Sequence, residues 1–426
     1  MKNLIIPLSS KEAMDPIRFG PKAANLSALG FQDIPTPGGY CLDAEAYRIQ
    51  IKHLKLEKAA KGVFSAEDSQ ARRFALDMKI GLLDNPIKEE ISNQLTSIWN
   101  KINTEENKGV VVRSSALVED RYGSSFAGQF ESFLGIDNIE DFFTSVRSCW
   151  CALWSTRALR YMATHDVDAA DTAMGLIIQP LIDAKVSGGG LSKTSEGNMS
   201  ISASSGLGTL IAQGEVVPDR YELTREGKIT DIILGNKSHS LTCGHGSGTV
   251  DKKINRTPDK PYLNEIELTE LSKYLLKAEN ITNGPTEIEW AMDEKGIKLV
   301  QARPLHVEEP HTVDEVWEKK PRLRGHPAGV GWDTGKACVI NCECELSRVA
   351  PGDVLVTRVA SPALSQILPQ VSAVVAELGG STSHLASLAR ERGIPMVLGV
   401  ANATRSIPDK STVAVDGVAG IVRWME

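Results

Sequence analysis

The chain has 426 residues, too many for one ordinary core, and predicts roughly two or three domains. Apolar residues make up 42% and charged residues 24%, the balance of a soluble globular protein. A net charge of −7 argues against nucleic acid or an anionic membrane as partner, while leaving room for an anionic ligand held by local basic groups.

Met1 to Asp15 holds only the short apolar run LIIPL, neither a secretory core nor an anchor. No stretch of about 18 uninterrupted apolar residues occurs, so no membrane span is expected. Seven cysteines are few and odd in number, which suits a reducing cytosol, and a cytoplasmic location is expected. Cys338, Cys342 and Cys344 cluster in ACVINCEC without CxxC spacing and read as small strand residues, with metal binding the weaker alternative for want of a fourth ligand.

From the N-terminus, GPKAANLSALG reads as a Gly/Pro turn entering a helix, with Lys22 just past the turn. Residues 56–103 look mostly helical. GVVVRSSA, from residue 109, is a buried-strand run that ends in Arg113 and two serines. A guanidinium at a strand end can fork onto phosphate oxygens, or pair structurally with Glu119 or Asp120. The small residues Ser124, Ser125, Ala127 and Gly128 form a loop open to close ligand approach. A helical stretch is expected over roughly residues 138–166, followed by the strands MGLIIQPLI, NMSISAS, GKITDIIL, TEIEWAM and IKLVQARPL. Mixed elements of this kind indicate an α/β or α+β architecture. SGGGLSKT, residues 187–194, superficially matches a phosphate-binding loop, but lacks Gly before the Lys and lies between strands. It reads as a glycine-rich hairpin.

PTEIEWAMDEKGIKLVQARPL predicts a hairpin about Glu294-Lys295-Gly296, with Gly296 at a left-handed position. Glu289 then faces Gln301, and Glu287 faces Arg303, all on one side because strand residues alternate. Opposed β-carbons lie roughly 5 Å apart. Glu289 and Gln301 would offer two hard oxygen ligands to a magnesium ion that bridges nucleotide phosphates, with Arg303 nearby. An exposed polar hairpin face with one ion pair is the alternative.

VEEPHTVDEVWEKKPR is polar and holds two prolines, the best linker candidate. The segments GKACVINC, GDVLVTRV, VSAVVAEL and TVAVDGVAGIVRW beyond it surround a short helix. Its start, GGSTSHLASLARERG, sets His384 in the first turn behind two glycines and three hydroxyls, one of which should cap the helix. Helix N-termini favour anions, and neutral imidazole is a competent nucleophile. His384 could thus carry a phosphoryl group, with Thr382 meeting its charge; a structural histidine is the alternative.

Taken in order, KAANLSALG…IPTPGGYCLDAEAY, VVVRSSALVED…SSFAGQFESFL, VSGGG, GLG, GEVVPDRY, EIEWA, QARP, GGSTSHLASLARERGIPMVLGV and VDGVAGIV resemble the phosphoenolpyruvate-utilising family. That family includes phosphoenolpyruvate synthase, pyruvate phosphate dikinase and rifampin phosphotransferase. The resemblance implies an ATP-grasp ATP-binding domain at 1–307, a linker at 308–322 and a swivelling β/β/α phosphohistidine domain at 323–426. It assigns Lys22, Arg113 and Arg303 to phosphate contact, and Ser124, Gln179, Gly206 and Gly208 to nucleotide binding. It makes Glu289 and Gln301 the Mg2+ ligands and His384 the phosphorylated residue, with Thr382, Arg113 and Arg303 beside it in catalysis. Thr209 departs from the family's usual Glu after GLG.

The implied cofactors are ATP and Mg2+. The implied chemistry moves the ATP β-phosphoryl through phosphohistidine to a small-molecule acceptor, giving AMP and phosphate. The usual acceptor domain of the family is not visible between or after the two domains. An ATP-loading phosphocarrier whose acceptor lies on a separate acceptor-binding protein is therefore a second expectation. A nucleotide-sensing module without turnover is a third.

Overall fold

The computed structural model describes residues 3–103, 109–119, 130, 132–235, 239–243, 249–253, 260–307, 317 and 320–425. The chain forms two compact units with interleaved segments. One comprises Met1–Asp183, Thr242–Val250 and Lys298–Arg303; the other comprises Ala184–Leu241, Asp251–Ile297 and Pro304–Glu426. The mixed α/β class expected from the sequence is the observed one.

In the first unit, β1 (Ile5–Pro7), β2 (Tyr40–Leu42), β3 (Val110–Ala116), β4 (Ser132–Ile136) and β5 (Met174–Pro180) form an antiparallel sheet of order β1-β2-β5-β3-β4. Helices α1 (Pro16–Phe19), α2 (Pro21–Phe31), α3 (Ala44–His53), α4 (Glu57–Ser65), α5 (Asp68–Asp84), α6 (Glu89–Ile102), α7 (Ile139–Ala152) and α8 (Thr156–Thr164) accompany it. Side-chain caps explain several starts: Asp43 accepts from Glu45 N–H, Asn138 from Asp141 N–H and Ser155 from Ala158 N–H. The core gathers Phe142, Trp150 and Trp154, and the buried Trp154 indole donates to the Tyr47 hydroxyl at 2.9 Å.

The second unit holds most of the remaining sheets, while Thr242–Val250 and Lys298–Arg303 belong to the first. β6 (Val186–Leu191), β7 (Met199–Ser205), β8 (Asp219–Leu223), β9 (Ile229–Ile233) and β12 (Thr286–Asp293) belong to a sheet of order β13-β12-β6-β7-β8-β9, where β13 is Gly296–Pro304. The short helix α9 (Thr209–Ala212) follows β7. β10 (His239–Cys243) and β11 (Thr249–Lys253) form a separate pair. Helix α10 (Glu265–Thr282) packs on β12 and opens with a capping box of Asn264 and Glu267.

The C-terminal sheet runs β14-β21-β20-β16-β17-β18-β19-β15. Its strands are β14 (Arg322–Arg324), β15 (His326–Pro327), β16 (Trp332–Ile340), β17 (Val354–Thr357), β18 (Ala373–Ala376), β19 (Met396–Leu398), β20 (Thr412–Asp416) and β21 (Ile421–Met425). The central strands β16 to β19 are parallel and their residues are Val-rich, as expected of strands buried on both faces. Helix α11 (His384–Glu391) is the crossover from β18 to β19, and α12 (Ala403–Ser406) follows β19.

One local expectation holds and another is corrected. The glycine-rich hairpin is present as β6 and β7, with Gly188 to Gly190 inside the first strand and the reversal later, about Gly197 at φ +83°. Of the cysteine cluster only Cys338 is a strand residue, whereas Cys342 and Cys344 lie past β16 and are joined by a disulfide. Two residues apart, their Cα atoms lie 5.4 Å from each other where the chain passes from extended Cys342 into a 3-10 turn at Glu343–Arg348.

Candidate active site

Lys22 is placed by a close contact between backbone elements. Gly20, at φ +81°, abuts β3 so tightly that a β-carbon there would lie 2.3 Å from the Ser115 carbonyl oxygen. Only glycine fits both constraints. Pro21 then starts α2, and the Ser115 hydroxyl accepts from Ala23 N–H at 3.1 Å. Lys22 is thereby fixed one residue into the helix, where its ammonium meets Glu119 at 3.0 Å. The other Glu119 oxygen accepts from Ala116 N–H. Glu119, set beside Asp120 as a possible structural partner of Arg113, receives Lys22 and the backbone N–H at the end of β3.

Arg113, on β3, donates to the Val300 carbonyl oxygen and, at 2.8 Å, to Gln301 Oε1. Its fork is held on the strand that also carries Arg303, which is 4% exposed. Arg113, Gln301 and Arg303 thus belong to one unit and share the strand β13 as their point of convergence. Gln179 is buried on β5 and donates to the Gly38 carbonyl at 2.7 Å, anchoring the turn before β2. Ser124 lies outside the described residues, as do Ser125, Ala127, Gly128 and Asp120.

In the second unit, Gly206 adopts φ +76° and its carbonyl accepts from the Ser187 hydroxyl. Gly208 precedes α9, and Thr209 is that helix's first residue. Gly296 sits at φ +108° between β12 and β13, as the turn requires. On β12, Ile288 and Trp290 are buried, while Glu289 is half-buried. The alternation expected from TEIEWAM is therefore present, with Glu289 on the opposite side from the apolar pair.

His384 is the first residue of α11 and is half-buried, with its Nδ1 atom buried. The cap is Ser383, whose hydroxyl accepts from Ala386 N–H at 3.3 Å. Thr382 has a different use. Its hydroxyl lies 3.0 Å from that of Ser202 on β7, and its side chain fills the space beside Gly189 on β6. A β-carbon on Gly189 would fall 2.5 Å from Thr382 Cβ. Gly189 is paired with Glu289 on one side and with Ser202 on the other. Directly paired residues in neighbouring strands project to the same sheet face. The histidine loop therefore rests on the face of the sheet that carries Glu289.

That same face carries Glu287, two residues before Glu289. Its carboxylate accepts from Arg390 at 2.8 Å and from the Ser387 hydroxyl at 3.0 Å, both from α11. The hairpin count alone had set Glu287 toward Arg303; packing of α11 supplied partners from about 100 residues away in sequence. Ser202, Ser387 and Arg390 are the site residues that sequence reasoning missed. The available signal was the small-residue alternation of NMSISAS and the lone arginine on an otherwise small-residue helix face.

Glu289 offers one half-buried carboxylate and Gln301 one amide oxygen, each an oxygen donor of the kind a hard cation accepts. Among the described residues no cluster of three His, Cys, Asp or Glu side chains forms an all-protein metal cage. Among the described residues, too, no helix is long and apolar enough to cross a membrane.

Comparison with known proteins agrees with this layout. The family pattern described as pyruvate phosphate dikinase, AMP/ATP-binding domain, matches residues 17–322, and that of the PEP-utilising enzyme mobile domain matches residues 349–420. The chain is 31% identical over 460 residues to a probable phosphoenolpyruvate synthase of Pyrococcus horikoshii, covering 95% of this chain and 56% of the relative. It is 31% identical over 462 residues to phosphoenolpyruvate synthase of Pyrococcus furiosus, covering 95% and 56%. It is 29% identical over 464 residues to phosphoenolpyruvate synthase of Neisseria meningitidis, covering 98% and 57%. The chain thus spans little more than half the length of these curated relatives. With a nucleotide-binding domain and a mobile domain matched in sequence order, this chain belongs to the phosphoenolpyruvate-utilising family.

Proposed function

We propose that this chain is an ATP-dependent phosphotransferase that moves the ATP β-phosphoryl through His384 to a small-molecule acceptor, releasing AMP and phosphate. The observation that carries the proposal is the seat of the histidine loop: Thr382 fills the gap at Gly189, the residue paired with Glu289. A nucleophile two residues from Thr382 is then at the sheet face that bears a candidate metal ligand.

In this account residues 1–307 bind nucleotide, 308–322 form the linker and 323–426 form the carrier domain. Lys22, Arg113 and Arg303 neutralise the triphosphate, with Lys22 leaving Glu119 and Arg113 turning its fork from Gln301 to phosphate. Glu289 and Gln301 would hold Mg2+, whose positive charge supplements those side chains when bound. A neutral imidazole nitrogen of His384 attacks the β-phosphorus, and the bond from that phosphorus to the α-bridging oxygen breaks to release AMP. Water accepts the γ-phosphoryl as phosphate, leaving one phosphoryl group on the ring. Phosphoryl transfer of this kind depends on in-line placement and charge neutralisation. The acceptor then takes the phosphoryl group, and the free histidine returns.

The partial coverage of the relatives supports a second reading, in which the acceptor site lies on a separate acceptor-binding chain or segment. Both readings share one test. The protein is incubated with Mg2+ and ATP labelled at the β- or the γ-phosphorus. Acid-labile β-label on His384, with stoichiometric AMP, is expected. Nucleotide binding without AMP or acid-labile label would instead identify a non-catalytic nucleotide-sensing module and end both transfer readings.

A further inference from the structure

The nucleophile's helix is held by a buried ion pair that the phosphotransfer chemistry itself does not use. Arg390 is 6% exposed and Glu287 is 2% exposed. Arg390 Nη2 donates to Glu287 Oε2 at 2.8 Å and to Ser387 Oγ at 3.1 Å. Its Nη1 donates to the carbonyl oxygens of Ser381, at 2.6 Å, and Ala328, at 3.2 Å. One guanidinium therefore ties the loop before His384, the body of α11 and strand β12 together. Ser387, one turn after His384, adds a second hydrogen bond to the same carboxylate.

We propose that Glu287 and Arg390 form a docking latch that sets His384 at the Glu289 face and opens when the histidine leaves to meet the acceptor. The inference rests on the phosphotransfer reading above, which requires His384 to work at two places. Both members are positioning residues.

The physical case concerns reversibility. A buried ion pair gains Coulomb energy but forfeits the hydration of both charges, so its net contribution is small. On opening, both charges regain water, and the exchange is nearly balanced. The geometry remains demanding, because a planar fork accepts a carboxylate in few orientations. Removing one partner alone takes the 2.8 Å ion-pair contact from a group that stays buried and so favours the open arrangement. Glu287→Gln is the cleaner variant, since Arg390 keeps its bonds to Ser381 in the loop and to Ala328 after β15.

The test compares two phosphoryl donors on the full chain. ATP must reach His384 through the docked arrangement. Phosphoramidate is a small donor whose phosphoryl passes to a ring nitrogen as its P–N bond breaks and ammonia leaves, so it reports only the accessibility of the ring. Glu287→Gln is expected to slow His384 loading from ATP by about 10- to 100-fold while ATP affinity stays within about twofold. Phosphoramidate labelling should rise severalfold, because the half-buried ring is released. Glu287→Asp should recover part of the ATP-dependent rate, and Glu287→Gln combined with Arg390→Gln should be no slower than either single change.

Wild-type rates with both donors in Glu287→Gln would overturn the latch. A loss of ATP affinity as large as the loss of rate would also overturn it, by placing Glu287 in the nucleotide site. If wild-type protein takes no phosphoryl from ATP, yet Glu287→Gln still labels faster with phosphoramidate, the phosphotransfer proposal fails while the pair's hold on the His384 ring is upheld.

Discussion

Replacing Gly189 by alanine isolates the contact on which the functional proposal depends. β6 is paired on both sides, and Gly189 is not among the positive-φ positions, so its backbone accepts alanine without strain. The added carbon would lie 2.5 Å from Thr382 Cβ, 2.6 Å from Cγ2 and 2.7 Å from Oγ1. Carbon atoms in good contact are about 3.5–4.0 Å apart. Thr382 must withdraw by ~1 Å, which breaks its 3.0 Å bond to Ser202. Overpacking costs about 1–3 kcal/mol and the lost hydrogen bond about 0.5–1.5 kcal/mol. At 1.36 kcal/mol per factor of ten, the seated loop should lose about 10- to 2000-fold in population.

The assay is single-turnover phosphorylation of His384 from ATP, beside a thermal melt. The rate should fall by that range while the melting midpoint drops by only a few degrees, since the undocked loop relieves the clash and Gly→Ala restricts the unfolded chain. Gly190→Ala is the control, because its β-carbon would meet Ile288 and Leu275 rather than the histidine loop. Wild-type loading by Gly189→Ala would show that Thr382 does not occupy this gap during the reaction, and the account of the site would fall.

His384→Ala should abolish AMP formation and acid-labile labelling while ATP binding, followed by calorimetry, persists; residual turnover would assign the nucleophile elsewhere. Glu289→Ala should raise the Mg2+ concentration needed for half-maximal activity by tenfold or more, and an unchanged titration would remove it as a ligand. Arg113→Lys keeps the charge but loses the fork onto Val300 and Gln301, so ATP affinity should fall by about tenfold; equal affinity would make Arg113 structural.

Stability should also depend on pH through His326. Burial, with a smaller effect of Arg220, lowers its pKa from 6.5 to about 4. The unfolded chain therefore binds the extra proton first, and stability is lost as pH falls from about 6.5 toward 4, by up to about 3 kcal/mol. Denaturant melts of wild type and His326→Gln should diverge in that window alone. Parallel pH profiles would refute the assignment.

Much of the layout was legible along the chain because local signals agreed with the global fold. Periodicity located the helices near residues 56–103 and 138–166 and the strands that flank Arg113 and Glu289. The hydroxyl-rich start of α11 marked both a cap and His384. Glycines were harder to interpret. A glycine run signals a turn or a close approach equally well, and the run at 188–190 proved to be a strand against which Thr382 packs. CVINCEC reads as strand throughout, and the chain leaves the strand before Cys342.

By itself the amino-acid order determined the element types, the family, and the candidate chemistry of Lys22, Arg113, Glu289, Gln301, Arg303 and His384. Those properties depend on spacing of 2 or 3.6 residues and on side-chain type, both written in adjacent positions. Only the tertiary structure decided that Lys22 meets Glu119, that Thr382 enters the gap at Gly189 and that Glu287 receives Arg390. Each of those pairings joins residues about 100 to 190 positions apart, and no local period encodes which distant surface a strand face will meet.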